Sequence, residues 1–207
     1  MKWTVVVPLK AEPLRKSRLA AALPLDRRIG LSAALHRHVM RSLARSGLFA
    51  DSMTLSPTAP PAGVPGRWRQ DNGLAVNVAL SQIRDATPTA LMVVNSDLPL
   101  LRVADIKALA MAAVRVCCAI AGDRDETGTN AVAVLPGATF AFAFGPGSLQ
   151  AHRDAAPQAR VLRRIGLAYD LDTVEDIAAV LDSGRDLPAD IAHWLKRAGN
   201  DQFASRL

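Results

Sequence analysis

The stretch Ala90-Leu91-Met92-Val93-Val94, followed by Asn95-Ser96-Asp97-Leu98-Pro99, decides the fold. Five consecutive apolar residues read as a strand buried on both faces, of the kind found inside an α/β sheet. Pro99 stops further pairing. Asp97 stands just past the strand's C-terminal end, where open α/β sheets bind their ligands. A carboxylate there can hold a metal ion against a substrate phosphate. It can equally cap the turn or helix that follows.

Working outward, the chain alternates strand-like and helix-like segments. Trp3 to Pro8 is an apolar, β-branched first strand. Leu9 to Pro24 is a basic loop carrying Lys10, Arg15, Lys16 and Arg18. In Leu25 to Ser46 the apolar residues Ile29, Leu31, Leu35, Val39 and Leu43 keep a helical spacing, and Gly47 is a suitable C-terminal cap. A short strand is expected at Ser52 to Ser56. Pro57 to Gly66 holds four prolines and two glycines, so it is a loop. Asn72 is expected to N-cap a helix from Gly73 to Arg84. Beyond the opening strand come a helix at Val103 to Ala113 and a strand at Val114 to Ala121. Further strands are expected at Ala131 to Leu135 and Phe140 to Phe144, then a helix N-capped by Ser148 and an edge strand at Arg160 to Arg164. Helices are expected at Val174 to Leu181 and Ile191 to Ala198, with a frayed tail after Gly199. The pattern predicts a single α/β domain over residues 1–207, with a mostly parallel mixed sheet flanked by helices.

Composition narrows the function classes. Half of the 207 residues are apolar, enough for a sizeable core. No apolar run approaches the ~20 residues of a membrane helix, and Met1-Lys2-Trp3-Thr4 enters a strand without the pattern of a secretion signal. The only cysteines, Cys117 and Cys118, are adjacent and read as core fillers rather than a disulfide. A cytoplasmic protein without a membrane partner is expected. The net charge is +6, but the basic residues are scattered and aromatics make up 4% of the chain. That argues against nucleic acid and suits a cationic pocket for a small polyanion. The four histidines lack zinc-like spacing, and His36 and His38 read as surface residues.

Four further clusters carry candidate chemistry. Lys10, Lys16 and Arg18 follow the first strand, where loops wrap nucleotide phosphates; a solvated basic loop looks the same. The glycines of a P-loop are absent. Thr127-Gly128-Thr129-Asn130 lets backbone and hydroxyls approach an anion, or is a plain turn. Phe144-Gly145-Pro146-Gly147-Ser148 turns into a helix N-terminus, which attracts phosphate and carboxylate groups. Asp170-Leu171-Asp172 offers two acids that point the same way if the segment is extended. With Asp97 they make a hard oxygen set suited to Mg²⁺, unless Asp172 caps the next helix with Thr173.

Taken in order, these clusters resemble a known family. The motifs are Pro8-x-Lys10 with Lys16-Ser17-Arg18-Leu19, Leu74-x-x-Asn77-x-Ala79-Leu80, Ser96-Asp97-Leu98-Pro99, Thr127-Gly128-Thr129-Asn130, Phe144 to Ser148 with His152, and Asp170-x-Asp172-Thr173 with Glu175-Asp176. They are similar to those of the CofC/FbiD guanylyltransferases of coenzyme F(420) biosynthesis, from Trp3 to about Leu181. The resemblance implies a nucleotidyltransferase fold like that of MobA and of glycosyltransferases of the A type. It implies transfer of GMP from GTP to 2-phospho-L-lactate, phosphoenolpyruvate or 3-phospho-D-glycerate, with release of pyrophosphate and hand-over of the product to the next enzyme. By position, Asp97, Asp170 and Asp172 match the metal-binding acids. Lys10, Thr129, Gly145 and Ser148 match residues that hold the phosphorylated acid. Lys16, Arg18 and Asn77 fall in motifs near the nucleotide. Where many members read Gly-Thr-Gly-Thr, this chain has Glu126-Thr127-Gly128-Thr129.

The implied reaction is a metal-assisted in-line displacement, with Asp97 and Lys10 as the catalytic pair. Two other readings compete. A MobA-like or sugar-phosphate nucleotidyltransferase would carry a glycine-rich loop after strand one, and Lys10 to Ser17 has no glycine. A non-catalytic basic module would need no acid triad.

Overall fold

A computed structural model describes residues 1–14 and 16–196 of the chain. Arg15 of the basic loop, the expected end of the last helix at Ala198 and the tail after Gly199 lie outside the described residues. Seven strands form one sheet: β1 (Trp3–Pro8), β2 (Phe49–Ser56), β3 (Arg67–Gln70), β4 (Ala90–Val94), β5 (Cys118–Gly122), β6 (Thr129–Val134) and β7 (Arg160–Leu162). Their order across the sheet is β3-β2-β1-β4-β6-β5-β7. Only β6 runs against its neighbours, pairing antiparallel with both β4 and β5. The first residues of β6 therefore share one edge of the sheet with the C-terminal ends of β1, β2 and β4. That edge carries the candidate site.

The helices are α1 (Leu25–Ser46), α2 (Val76–Asp85), α3 (Val103–Val116), α4 (Ser148–Ala155), α5 (Ile165–Ala168), α6 (Val174–Asp182) and α7 (Ala189–Lys196). Successive strand side chains face opposite sides, and β4 shows why it must be apolar throughout. Ala90, Met92 and Val94 pack with α1 and α3 residues such as Val39 and Leu109. Leu91 and Val93 pack on the other face with Leu80 of α2 and Leu149 of α4. A third cluster lies behind α1, where Leu31 and Leu35 meet Ile177, Ile191 and Leu195. There a Cβ on Gly30 would run into the Trp194 ring, so glycine lets α7 close on α1. No helix among the described residues is long and apolar enough to cross a membrane.

Several expectations need correction. β2 starts at Phe49, three residues before Ser52, and the proline-rich loop joins two strands of the same sheet. Asn72 does not cap α2. Asn72 and Gly73 both adopt left-handed φ values, 55° and 75°. The turn is held instead by Asp71 Oδ1, which accepts from the Gly73 N–H at 3.0 Å. The run after Ala113 stays helical to Val116 and breaks at Cys117, whose φ of 67° ends α3. Cys117 is exposed, and only Cys118 fills the core. Ser148 is the first residue of α4 and Gly147 its cap. His36 is fully buried, with Nε2 2.9 Å from Thr54 Oγ1. His38 is partly buried against the Leu101 carbonyl.

Phe140 to Phe144 alternates like a strand but joins no strand of the sheet. It lies over the sheet face that holds α2, and side chains satisfy its backbone. Arg84 donates to the carbonyls of Ala138 and Phe140. Asn77 brackets Phe144, accepting from its N–H at 2.8 Å and donating to its carbonyl at 3.0 Å.

Candidate active site

A cavity of about 780 Å³ opens along the site edge of the sheet, lined by Lys10, Lys16, Arg18, Asp97, Thr129, Gly145, Ser148, Asp170 and Asp172. Chain segments far apart in sequence meet there because β1, β4 and β6 are neighbours. Asn77 is the one sequence-named site residue that does not line it. Its amide is occupied on both sides by the Phe144 backbone, at the start of the Phe144–Ser148 turn that lines the cavity.

The acid side is assembled by backbone first. The Leu171 N–H donates to the Asp97 carbonyl at 3.2 Å, which clips the Asp170–Asp172 segment onto the end of β4. One ligand atom from each of Asp97, Asp170 and Asp172 then lies within 4.8 Å of the others. Neither Asp97 nor Asp172 caps a helix. Thr173 caps α6, and Asp176 completes that cap by accepting from the N–H groups of Thr173 and Asp172. The N-cap of α3 is Arg102. The carboxylates are left facing the cavity.

Lys16 joins them in a way the sequence did not signal. Its backbone is left-handed, with φ 51°, at the start of a 3-10 turn pinned by the buried Leu19. That sends Nζ to 2.8 Å from both Asp97 and Asp172. Burial works against the Lys16 charge, but the two carboxylates outweigh it and raise its pKa. Burial likewise works against the Asp172 charge, and Lys16, helped by Lys10 and Arg18, holds its carboxyl below the usual range. Asp170 has no such cation. Burial, with the Asp97 charge next, pushes its carboxyl up to about 7. Its hydrogen bond is from Asn130 Nδ2 at 3.3 Å. Asn130 is bonded in turn to Asn95, at 3.1 Å.

This donor set fits a divalent cation. Three carboxylates supply hard oxygen ligands. Asp97 Oδ1 is buried without a hydrogen-bond partner, a costly state for an ionised oxygen that a cation would relieve.

The opposite side of the cavity is built mainly of hydroxyls, backbone and one buried histidine. Thr129 opens β6, and its Oγ1 lies 2.9 Å from Nδ1 of His152, a fully buried residue of α4. Gly145 and Gly147 take φ values of 139° and 68°, which shape a turn leading into α4. The Leu149 N–H donates to the Thr127 carbonyl and ties that turn to the preceding loop. Within the loop, Asp123 accepts from the N–H groups of Thr127 and Gly128 at 2.9 and 2.8 Å. Glu126, at the family's glycine position, adopts φ 58° and pairs with Arg163 on the surface. That backbone lies in the left-handed region glycine favours, and Glu126 is not among the residues that line the cavity.

A seven-stranded α/β sheet with a polyanion-sized cavity, paired acids and converging cations defines a nucleotidyltransferase fold. Solved structures bear this out. A nucleotide-diphospho-sugar transferase from Desulfovibrio desulfuricans superposes with a TM-score of 0.72 over 100% of this chain and 98% of that one, at 17% identity. A CMP:2-keto-3-deoxy-manno-octonic acid synthetase solved with CTP gives 0.53 over 89% and 100%, at 12% identity. A Mycobacterium tuberculosis protein solved with manganese gives 0.51 over 88% and 100%, at 15% identity. More particularly, residues 3–201 match the family described as "Guanylyl transferase CofC like", and the chain belongs to it. A phosphoenolpyruvate guanylyltransferase of Rubrobacter xylanophilus is 36% identical over 199 residues, spanning 89% of this chain and 96% of the relative. That of Chloroflexus aggregans is 32% identical over 189 residues, 83% and 93%.

Proposed function

We propose that the protein transfers GMP from GTP to phosphoenolpyruvate and releases pyrophosphate. The observation that carries this reading is the division of one cavity into an acid–lysine side and a hydroxyl-lined side. The first suits a metal-bound triphosphate, the second a small phosphorylated acid. The relatives named as phosphoenolpyruvate guanylyltransferases support that acceptor over 3-phospho-D-glycerate and 2-phospho-L-lactate.

In the reaction an oxygen of the acceptor's phosphate attacks the α-phosphorus of GTP. The new P–O bond forms as the bond to the β-phosphate oxygen breaks, and pyrophosphate leaves with that electron pair. The attacking phosphate is already ionised near neutral pH, so the step needs no general base. Catalysis rests on alignment and on neutralising charge. Mg²⁺ held by Asp97, Asp170 and Asp172 would supply Lewis-acid and charge-neutralising chemistry at the phosphates. Lys16 and Arg18 meet the triphosphate, and Lys10 meets the acceptor's charge. Thr129, Gly145 and Ser148 orient the acid. A GTP-consuming step of this kind belongs in the cytoplasm, and its anhydride product suits coenzyme F(420) biosynthesis, where a following enzyme takes up the activated acid.

The test is pyrophosphate release with GTP or ATP against each of the three acids, with Mg²⁺ present or chelated. The reading expects GTP with phosphoenolpyruvate to be fastest and chelation to stop it. Release without any acid, or an ATP preference, would count against it.

A further inference from the structure

His152 is a buried group the mechanism leaves unused, and it touches Thr129, Phe140, Ala143 and Phe144. Its ring stacks on Phe140 at 5.3 Å and meets the edge of Phe144 at 5.0 Å. Nε2 lies 2.9 Å from the Ala143 nitrogen and accepts from that N–H. A backbone N–H can only donate, so Nε2 carries no proton and the neutral ring holds its proton on Nδ1. Nδ1 in turn lies 2.9 Å from Thr129 Oγ1. The Ala143 contact therefore fixes the tautomer, and the Thr129 hydroxyl, which can donate or accept, must accept from Nδ1–H.

The consequence falls on Thr129. A hydroxyl has one proton and two lone pairs. With one lone pair receiving the Nδ1 proton, the Thr129 proton is turned away from the histidine and toward the cavity that Thr129 lines. We propose that His152 is a positioning residue that fixes the Thr129 hydroxyl as a donor to the anionic group of the phosphorylated acid. This rests on the acceptor site proposed above. The same ring bonds Ala143, so one side chain sets both the donor's direction and the chain that leads into the turn beside it. Phe140 and Phe144 hold the ring in that plane.

The test is calorimetric binding of phosphoenolpyruvate, with Mg²⁺ present, to the wild-type chain, Thr129→Val, His152→Phe and the double variant. Valine removes the hydroxyl at nearly constant volume, and phenylalanine keeps a ring between Phe140 and Phe144. Each single change should weaken binding roughly ten- to hundredfold, as loss of a hydrogen bond to a charged group does. GTP affinity should be unchanged. The double variant should fall well short of the product of the two losses, because both remove the same donor. Thr129→Ser should bind like wild type, which keeps the idea testable if His152→Phe fails to fold. Ring ¹⁵N shifts should show Nδ1 protonated and Nε2 bare from pH 6 to 8. Multiplicative losses, equal binding by Val and Ser variants, the opposite tautomer, or no acid binding to wild type would each overturn the proposal. Pyrophosphate release scores the transfer reading separately: acid bound and lost as described, yet no transfer from GTP, would sink that reading alone.

Discussion

The two sides of the cavity solve the problem of binding anions by opposite means. On the acid side, charge is concentrated and incompletely balanced: three carboxylates converge, one lysine, Lys16, is shared by two of them, and Asp97 Oδ1 has no partner. On the other side Thr129, His152, Asn77 and the Phe144–Ser148 turn are held by hydrogen bonds between neutral groups. The first arrangement waits for a cation. The second is already organised and presents donors in fixed directions. A transferase joining a metal-bound triphosphate to a small acid needs one of each.

The largest expected effect comes from breaking the acid side. Asp97→Asn should cut GMP transfer about a thousandfold or more by removing a charged ligand, while thermal unfolding stays near wild type. Wild-type rates in the variant would remove the basis for a metal at this place.

The hydroxyl-lined side should show itself in stability against pH. Burial, offset in part by the Ser148 carbonyl, pushes the His152 pKa down to about 4. The unfolded chain binds that proton near pH 6.5, so it holds more protons between these values. His152 thus costs no stability above pH 6.5, and stability is lost as the pH falls from 6.5 toward 4, by about 3 kcal/mol at most. The difference between wild type and His152→Phe in denaturant unfolding isolates this loss from the carboxylates. A difference independent of pH would mean that the histidine is not held neutral.

Asn77 separates scaffold from ligand contact. Asn77→Ala should destabilise the fold by about 2 kcal/mol by stripping partners from the Phe144 backbone. It should also raise KM for the acid more than KM for GTP, as measured by steady-state kinetics. A selective rise in the GTP KM would restore the nucleotide role implied by the family motif.

The smallest effect sharpens the charged side. The Lys16 ammonium lies 2.8 Å from two of the would-be ligands and competes for them. Lys16→Met should therefore bind Mn²⁺ about tenfold more tightly without nucleotide, since a competing charge is removed, yet transfer GMP more slowly. Weaker metal binding would show that Lys16 supports the metal site instead of competing with it.

Much of this was legible in the sequence where a local signal had one physical meaning. β1, α1 and β4 have the boundaries their residues announce: Pro24 and Gly47 bracket α1, and five apolar residues have no choice but a doubly buried strand. β3 was not legible, because Arg67–Gln70 has no apolar periodicity and is held by pairing to β2 and by the Arg67–Asp51 ion pair. The alternation of Phe140–Phe144 misleads because side chains, not a strand, satisfy its backbone. The order of Asp97, Asp170 and Asp172 carries the acid side through the family resemblance. What joins them does not show: the Leu171–Asp97 clip and the reach of Lys16 depend on strand order and on one left-handed residue. His152 stood in a motif without a role, since a histidine's work is defined by partners that only the fold supplies.

The central claim is tested most directly by ³¹P NMR of the protein with GTP, phosphoenolpyruvate and Mg²⁺. The account predicts two mutually coupled phosphorus signals from an unsymmetrical diphosphate, growing in step with pyrophosphate and absent with Asp97→Asn. GDP and inorganic phosphate in their place, or no change in the spectrum, would contradict it.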